Sequence, residues 1–229
     1  MPCLLSTAYF PPIQWFSKVR RYEHCLVEQH DHYVKQTYRN RCTIMTWSGP
    51  LSLTVPVERS EGKLLMRDVR ISDHNHWRHI HWNALESAYG ETPFFEYYAD
   101  DLLPFFDRRW DYLFDFNMAI ANTLCQLLDL REVDLQPTTH YIPGDSLSEA
   151  SVLSRPSCLS EASEFSQISE PSGSLLDFRE TIRPKHAPAD PTFVPRPYWQ
   201  VHGQRFGFTP GLSILDLLFN MGPESILFL

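Results

Sequence analysis

The sequence contains no Walker loop, no G-x-G-x-x-G, no G-x-S-x-G and no kinase motif set, so the common phosphate-binding and hydrolase signatures do not account for it. It has no H-E-x-x-H, the helical signal of a zinc peptidase, and no C-x-x-C. Its five cysteines, Cys3, Cys25, Cys42, Cys125 and Cys158, are odd in number and widely scattered. That pattern suits reduced thiols in a cytoplasm better than a disulfide framework. No stretch approaches the roughly 18 apolar residues that a membrane-spanning helix needs. The opening MPCLLSTAYFPP has no basic n-region and meets Pro11-Pro12 too early for a secretory signal. A cytoplasmic protein with no membrane partner is expected. Positive charge is also short: 20 Lys and Arg stand against 28 Asp and Glu, a formal charge of -8. This argues against a general nucleic-acid coat, while tRNA as an aminoacyl donor stays open.

What is present is enough apolar material, 43% of 229 residues, for one filled core. Leu4 to Phe10 reads as a buried strand, ended by Pro11-Pro12, which open a helix over Ile13 to Tyr22. Cys25 to Glu28 is a second strand, and the strand, helix, strand order favours a parallel pair with a crossover helix. Cys42 to Trp47 and Leu51 to Val57 form a hairpin about a Ser-Gly-Pro turn, and Asp68 to Ser72 alternates like one more strand. Asp73 is placed to cap a helix through Trp77 to Tyr89 with a stripe of Trp77, Ile80, Ala84 and Ala88. Thr92-Pro93 starts another helix, which Pro104 interrupts before a longer one from about Phe106 to Asp129. The expected fold is α/β: a small mixed sheet with a crossover helix, flanked by several helices. From Ser148 to Ser172 a serine falls at every third residue, a period of neither helix nor strand. Residues 146–176 are therefore expected to be a flexible, low-complexity serine-rich insertion in one domain spanning 1–229. Asp177 to Pro197 is Pro-rich and reads as extended. Tyr198 to Val201 suggests a strand, and Leu212 to Asn220 a last helix stopped by Gly222-Pro223.

The densest chemistry lies in Tyr33 to Glu58, YVKQTYRNRCTIMTWSGPLSLTVPVE, where Lys35, Arg39 and Arg41 fall within seven residues ahead of the hairpin. Guanidinium forks beside a rigid sheet suit a planar anion such as carboxylate or phosphate. This block resembles the WbqC-like family, bacterial proteins associated with surface-polysaccharide gene clusters. The likeness extends to YFPPIQWF near the start, to Arg67–Tyr98, and to FTPGLSILDLLFNMGPES from Phe208 to Ser225. One departure stands out. Relatives carry a His-Gln-Pro-Asn-like sequence at the end of the first strand, whereas this chain has Leu5-Ser6-Thr7-Ala8, so no role for that His carries over. The resemblance implies a part in O-antigen-like polysaccharide biosynthesis, as an aminoacyl (glycyl) transferase acting on a nucleotide-linked sugar. The alternative is a non-catalytic binding or assembly protein that recognises an anionic sugar or partner. No cofactor is implied.

Each candidate residue has a plain reading beside the chemical one. Lys35, Arg39 and Arg41, with Asn40 as an amide donor, could grip the phosphates of a nucleotide-sugar; they could equally be a salt-bridged loop, with Glu28 and Asp31 close in sequence. His81 is the candidate general base or a packed, hydrogen-bonded histidine. The neighbouring His74, His76 and His79 do not converge with it at 100° per residue, so no metal is expected. Trp82, on the polar side of its helix, is a candidate for stacking on a sugar. Asp216 could orient a ligand, or complete a capping box with Ser213. Cys42 reads as a strand core residue ahead of a nucleophile.

Overall fold

The computed structural model describes residues 1–144 and 175–229, apart from 23, 60, 61 and 131. The serine repeat therefore lies outside the described residues. The chain begins with β1 (Cys3–Ser6), α1 (Ile13–Arg21) and β2 (His24–Glu28), and β1 pairs with β2 in parallel through Cys3↔Cys25 to Ser6↔Glu28. α1 starts where the sequence indicates: Pro12 at its N-cap has φ -67°, the value the pyrrolidine ring imposes, and Lys18, Arg20 and Arg21 complement the dipole at its last turn. β1 is shorter than expected. Residues 7–10 are buried, but Phe10 takes φ 38°, which an extended strand does not allow.

Two further strands complete the sheet. β5 (Asp134–Pro137) joins β2, and β6 (Leu176–Asp177) joins β1, both in parallel, giving the order β5-β2-β1-β6. The hairpin, β3 (Arg41–Thr46) and β4 (Gly49–Thr54), turns at Trp47-Ser48, with Gly49 at φ 114°, and forms a separate two-stranded antiparallel sheet. The fold is thus α/β, with strands of both senses divided between two sheets.

The helices depart from expectation where tertiary pairing intervenes. α2 (Trp77–Tyr89) follows a 3-10 turn at His74–His76, and His76 before it is left-handed with φ 48°. Asp73 makes no cap; its carboxylate pairs with Arg78 at 2.6 Å and Arg109 at 3.3 Å. The buried face of α2 is Trp77, His81, Leu85 and Ala88, and Ile80 is 54% exposed, so the expected stripe is rotated by about one residue. α3 (Phe95–Leu102) and α4 (Pro104–Asp107) break at Pro104, as its missing N–H requires. α5 (Leu113–Leu127) begins seven residues later than the pattern suggests. Here residues 69–71 and 111–113 exchange main-chain bonds, Ile71 N to Asp111 O at 2.9 Å and Leu113 N to Val69 O at 2.9 Å. The strand expected at Asp68 to Ser72 is accordingly two isolated bridges after a 3-10 turn at Met66–Asp68.

Tyr198 to Val201 forms no strand; it leads into α6 (Gly203–Phe206). α7 (Ile214–Met221) is capped by Ser213, whose Oγ accepts from Leu215 N, and ends at Gly222 with φ 55°. The core is one continuous cluster that joins α1, the hairpin, α2, α5 and α7 around Tyr9, Phe10, Phe16, Phe116 and Phe219. Among the described residues no helix is long and apolar enough to cross a membrane.

Candidate functional site

An open parallel sheet offers a ligand the crevice outside the carboxyl ends of its strands, at the point where the strand order reverses. With order β5-β2-β1-β6, successive strands β1, β2 and β5 progress to one side, and β6 returns to the other side of β1. The reversal therefore lies between the ends of β1 and β6. A crevice opens there, lined by Ser6 at the end of β1 and Thr7 and Ala8 after it, by Tyr38 and Arg39, and by Arg179 and Arg183 after β6. It is narrow, about 10 Å³, wide enough for the oxygens of an anion or a water and too small for a sugar ring.

Three guanidiniums converge on it. Arg39 is nearly buried and donates to Asp31 at 2.6 Å and, more weakly, to Ser6 Oγ at 3.5 Å. Burial pulls its pKa below the usual range; Asp31 offsets this, and the like charge of Arg183 adds to the lowering. Arg179 forks onto Asp177 through Nε at 3.0 Å and Nη2 at 2.7 Å and reaches Glu28 at 3.4 Å. Burial works to lower its pKa, but the Asp177 hydrogen bonds and the nearby carboxylates raise it overall. Arg183 pairs with Glu180 and is only half-buried, which leaves donors free toward the crevice. Two arginines close enough to perturb each other are stable together only beside negative charge, whether the protein's own or a ligand's.

The cations named from sequence are split by the fold. Arg39 enters the crevice; Lys35 is exposed beside a different cavity of about 320 Å³ with Tyr33, Glu58, Arg59 and Leu64. Arg41, first residue of β3, donates to Thr54 Oγ1 at 3.1 Å on the hairpin surface. They retain one link, since both Arg39 and Arg41 act electrostatically on Tyr33, whose pKa burial raises and they lower. Asn40 is buried and donates to Val55 O at 2.9 Å, fastening the 3-10 turn Tyr38–Asn40 to the end of the hairpin.

His81 is 4% exposed on α2, with Nδ1 2.9 Å from the Tyr9 hydroxyl, and it lines none of the described cavities. Burial pulls its pKa down to about 4, with a hydrogen bond to the Thr54 main chain opposing the shift. Trp82 is half-buried and packs on Phe106 and Phe95, at 5.5 and 5.8 Å between ring centroids, so its face is turned to the core and not to a ligand. Asp216 is wholly buried, but its side chain does not complete the capping box with Ser213. Its carboxylate accepts from Tyr198 Oη at 2.6 Å, Tyr89 Oη at 2.8 Å and Gln200 Nε2 at 3.0 Å. Burial raises its pKa, and those hydrogen bonds hold part of the rise back. Cys42 is buried in β3, and burial pushes its thiol above the ordinary range. His79 is exposed and bonds Asn83, and among the described residues no group of three or more His, Cys, Asp or Glu is placed to hold a metal.

Sequence reasoning missed Arg179 and Arg183, which sit in a segment read only as extended. Their signal was the alternation of acid and base in DFRETIR, from Asp177 to Arg183, directly after what proves to be a strand. The Ser6–Ala8 segment, where this chain departs from the His-containing sequence of the resembled family, forms the opposite wall.

Sheet and crevice define an open parallel α/β protein with an arginine-lined switch point. The chain belongs to the WbqC-like protein family, whose model matches residues 7–227. It is also similar to the "Uncharacterized protein Rv1507c" of Mycobacterium tuberculosis (strain ATCC 25618 / H37Rv), with 29% identity over 229 aligned positions that cover 97% of this chain and 94% of that protein. No solved structure matches the chain.

Proposed function

We propose that the protein binds the phosphates of a nucleotide-linked sugar at the crevice between β1 and β6 and serves surface-polysaccharide biosynthesis, as an aminoacyl (glycyl) transferase in its fullest form. The observation that carries this reading is the convergence of Arg39, Arg179 and Arg183 at the switch point of a parallel sheet. Phosphate oxygens would replace carboxylate partners of Arg39 and Arg183, because bidentate guanidinium–phosphate bonds are as directional as those to Asp31 and Glu180. Only the charged oxygens enter; the sugar and base lie over the mouth. Acyl transfer to a sugar hydroxyl would then need a base near that mouth, and the carboxylates freed from their arginines, Asp31 and Glu180, are the groups in reach.

The binding-protein reading, an anionic sugar recognised without chemistry, is favoured by one specific fact: the candidate base His81 is buried, hydrogen-bonded to Tyr9 and lines none of the described cavities. One experiment separates the two. Calorimetry against a panel of nucleoside diphosphate sugars should give binding that weakens at least tenfold in Arg183→Ala, with the protein still folded. Unchanged affinity in that variant removes the crevice from the account. Mass spectrometry of the bound sugar after incubation with glycine donors then decides for transfer if a glycyl addition forms, and for recognition alone if none does.

A further inference from the structure

The opposite end of the same sheet carries a second cationic cavity that the crevice does not explain. α1 runs back against the strands, so its last turn lies at their amino ends, away from Ser6 and Asp177. Arg20 and Arg21 of that turn, together with Arg196, line a cavity of about 430 Å³ with Ser17, Thr192, Phe193 and Phe228. That volume is in the range of small-molecule sites.

Two of these arginines, Arg21 and Arg196, have no carboxylate side-chain partner among the described residues. Arg20 reaches main-chain oxygens of Ile226 and Leu229, Arg21 meets Thr192 O at 3.5 Å, and Arg196 meets Leu227 O at 2.9 Å. The peptide carbonyls of Thr192 and Leu227 orient Arg21 and Arg196 without neutralising them. Among the described residues no carboxylate side chain lines the cavity or pairs with Arg21 or Arg196. Asp190 of the adjoining strap is already paired with Lys18 beneath, at 2.6 Å. In a chain of net charge -8, Arg21 and Arg196, without an acidic side chain beside them in this concavity, are a local inversion of the overall sign.

The walls are apolar and aromatic. Phe193 and Phe228 face the arginines, and Val194 on the rim is 77% exposed. The floor is rigid, because Lys18, with no solvent exposure, ties Asp190 and Thr192 of the overlying strap to α1. Ser17 and Thr192 also line the cavity, their hydroxyl protons already given to Gln14 O and Asp190 Oδ1, both at 2.7 Å.

We propose that this cavity is a binding site for a phosphorylated ligand with a flat apolar ring, of the nucleoside diphosphate class. Arg21 and Arg196 hold the phosphates through free guanidinium donors, and the ring lies against Phe193 and Phe228. The site is independent of the crevice between β1 and β6.

Calorimetry with ADP, in Arg183→Ala protein so that the crevice does not contribute, tests the proposal. One ADP is expected per chain, with affinity falling at least tenfold in Arg21→Ala and further in Arg21→Ala/Arg196→Ala, and weakening as salt is raised. Pyrophosphate should bind more weakly than ADP, and adenosine more weakly still. Arg196→Lys, which keeps charge but loses the fork, should fall between wild type and Arg196→Ala; it also guards against a variant that fails by unfolding. Absence of ADP binding, affinity unchanged in Arg21→Ala, or pyrophosphate equal to ADP would each overturn the assignment. ADP binding that Arg183→Ala alone abolishes would return the ligand to the crevice and leave this cavity without one.

Discussion

Lys18 is a charged side chain with no exposure to solvent, held by Asp190 and Thr192 at 2.6 Å each and lying 4.7 Å over the Phe178 ring. A buried charge stripped of its partner keeps its desolvation cost, so Lys18→Met should lower unfolding free energy by about 3–5 kcal/mol in urea titrations. A loss under about 1 kcal/mol would mean that the pair is not load-sharing. Asp190 is held down to about 2, chiefly by Lys18, Gln14 and Thr192 against the opposing effect of burial. Its depressed pKa contributes stability above the unfolded value near 3.8, and this is lost as pH falls from there through about 2. His81 acts in the same direction over a higher pH range. Burial lowers it to about 4, so the unfolded chain takes up the proton first, near 6.5, and stability drains away as pH falls from 6.5 toward 4. By pH 5 the loss is about 2 kcal/mol, and His81→Gln should show a flatter curve between pH 7 and 5 than wild type. Equal slopes would rule out a neutral, buried His81. The sequence already allowed His81 to be a packed, hydrogen-bonded histidine, as it is, whereas Lys18 at a basic helix end is an ordinary surface pattern that does not announce its burial.

Elements bounded by local chemistry follow the sequence closely. Pro12 and Ser213 start α1 and α7, Pro104 splits α3 from α4, and Gly222 ends α7. Gly222 is required twice over, by φ 55° and by the Phe94 ring, which would stand 2.5 Å from an added Cβ. Gly222→Ala should therefore cost about 1–3 kcal/mol, read as a lower urea midpoint, more than helix propensity alone would give. Recovery by Phe94→Leu would confirm that the ring is the obstacle. Elements bounded by distant partners do not follow the sequence. α5 starts at Leu113 because the preceding residues pair with Val69 to Ile71, and the rotated face of α2 is chosen by Tyr9 and Phe116, neither of which lies near it in the chain. Asp216 shows the same limit. Its spacing from Ser213 fits a capping box, yet two tyrosine hydroxyls from elsewhere compete successfully for its carboxylate.

Across the molecule, Glu28 connects three strands of the parallel sheet at their carboxyl ends. It accepts from His30 N at 2.7 Å, from Thr138 Oγ1 after β5 at 2.9 Å, from Ile142 N at 3.3 Å, and from Arg179 after β6 at 3.4 Å. Glu28→Ala should release both flanking segments at once. We expect faster hydrogen exchange at the Thr138, Ile142 and Arg179 amides and a stability loss of about 3–5 kcal/mol. Exchange that rises at only one of the two segments would show that Glu28 does not couple them. The same residue explains why the crevice was half visible beforehand. Arg39 and its acidic neighbours Glu28 and Asp31 were recognisable as a charged group, but Arg39 took Asp31 while Glu28 was drawn to Arg179, far along the chain. By itself the sequence determined the α/β class, the parallel pair joined by α1, the hairpin and the family, because prolines, glycines and apolar periodicity act over a few residues. Only the tertiary structure decided which cations share a cavity, since convergence depends on strand order and on ion pairing between segments that local spacing does not relate.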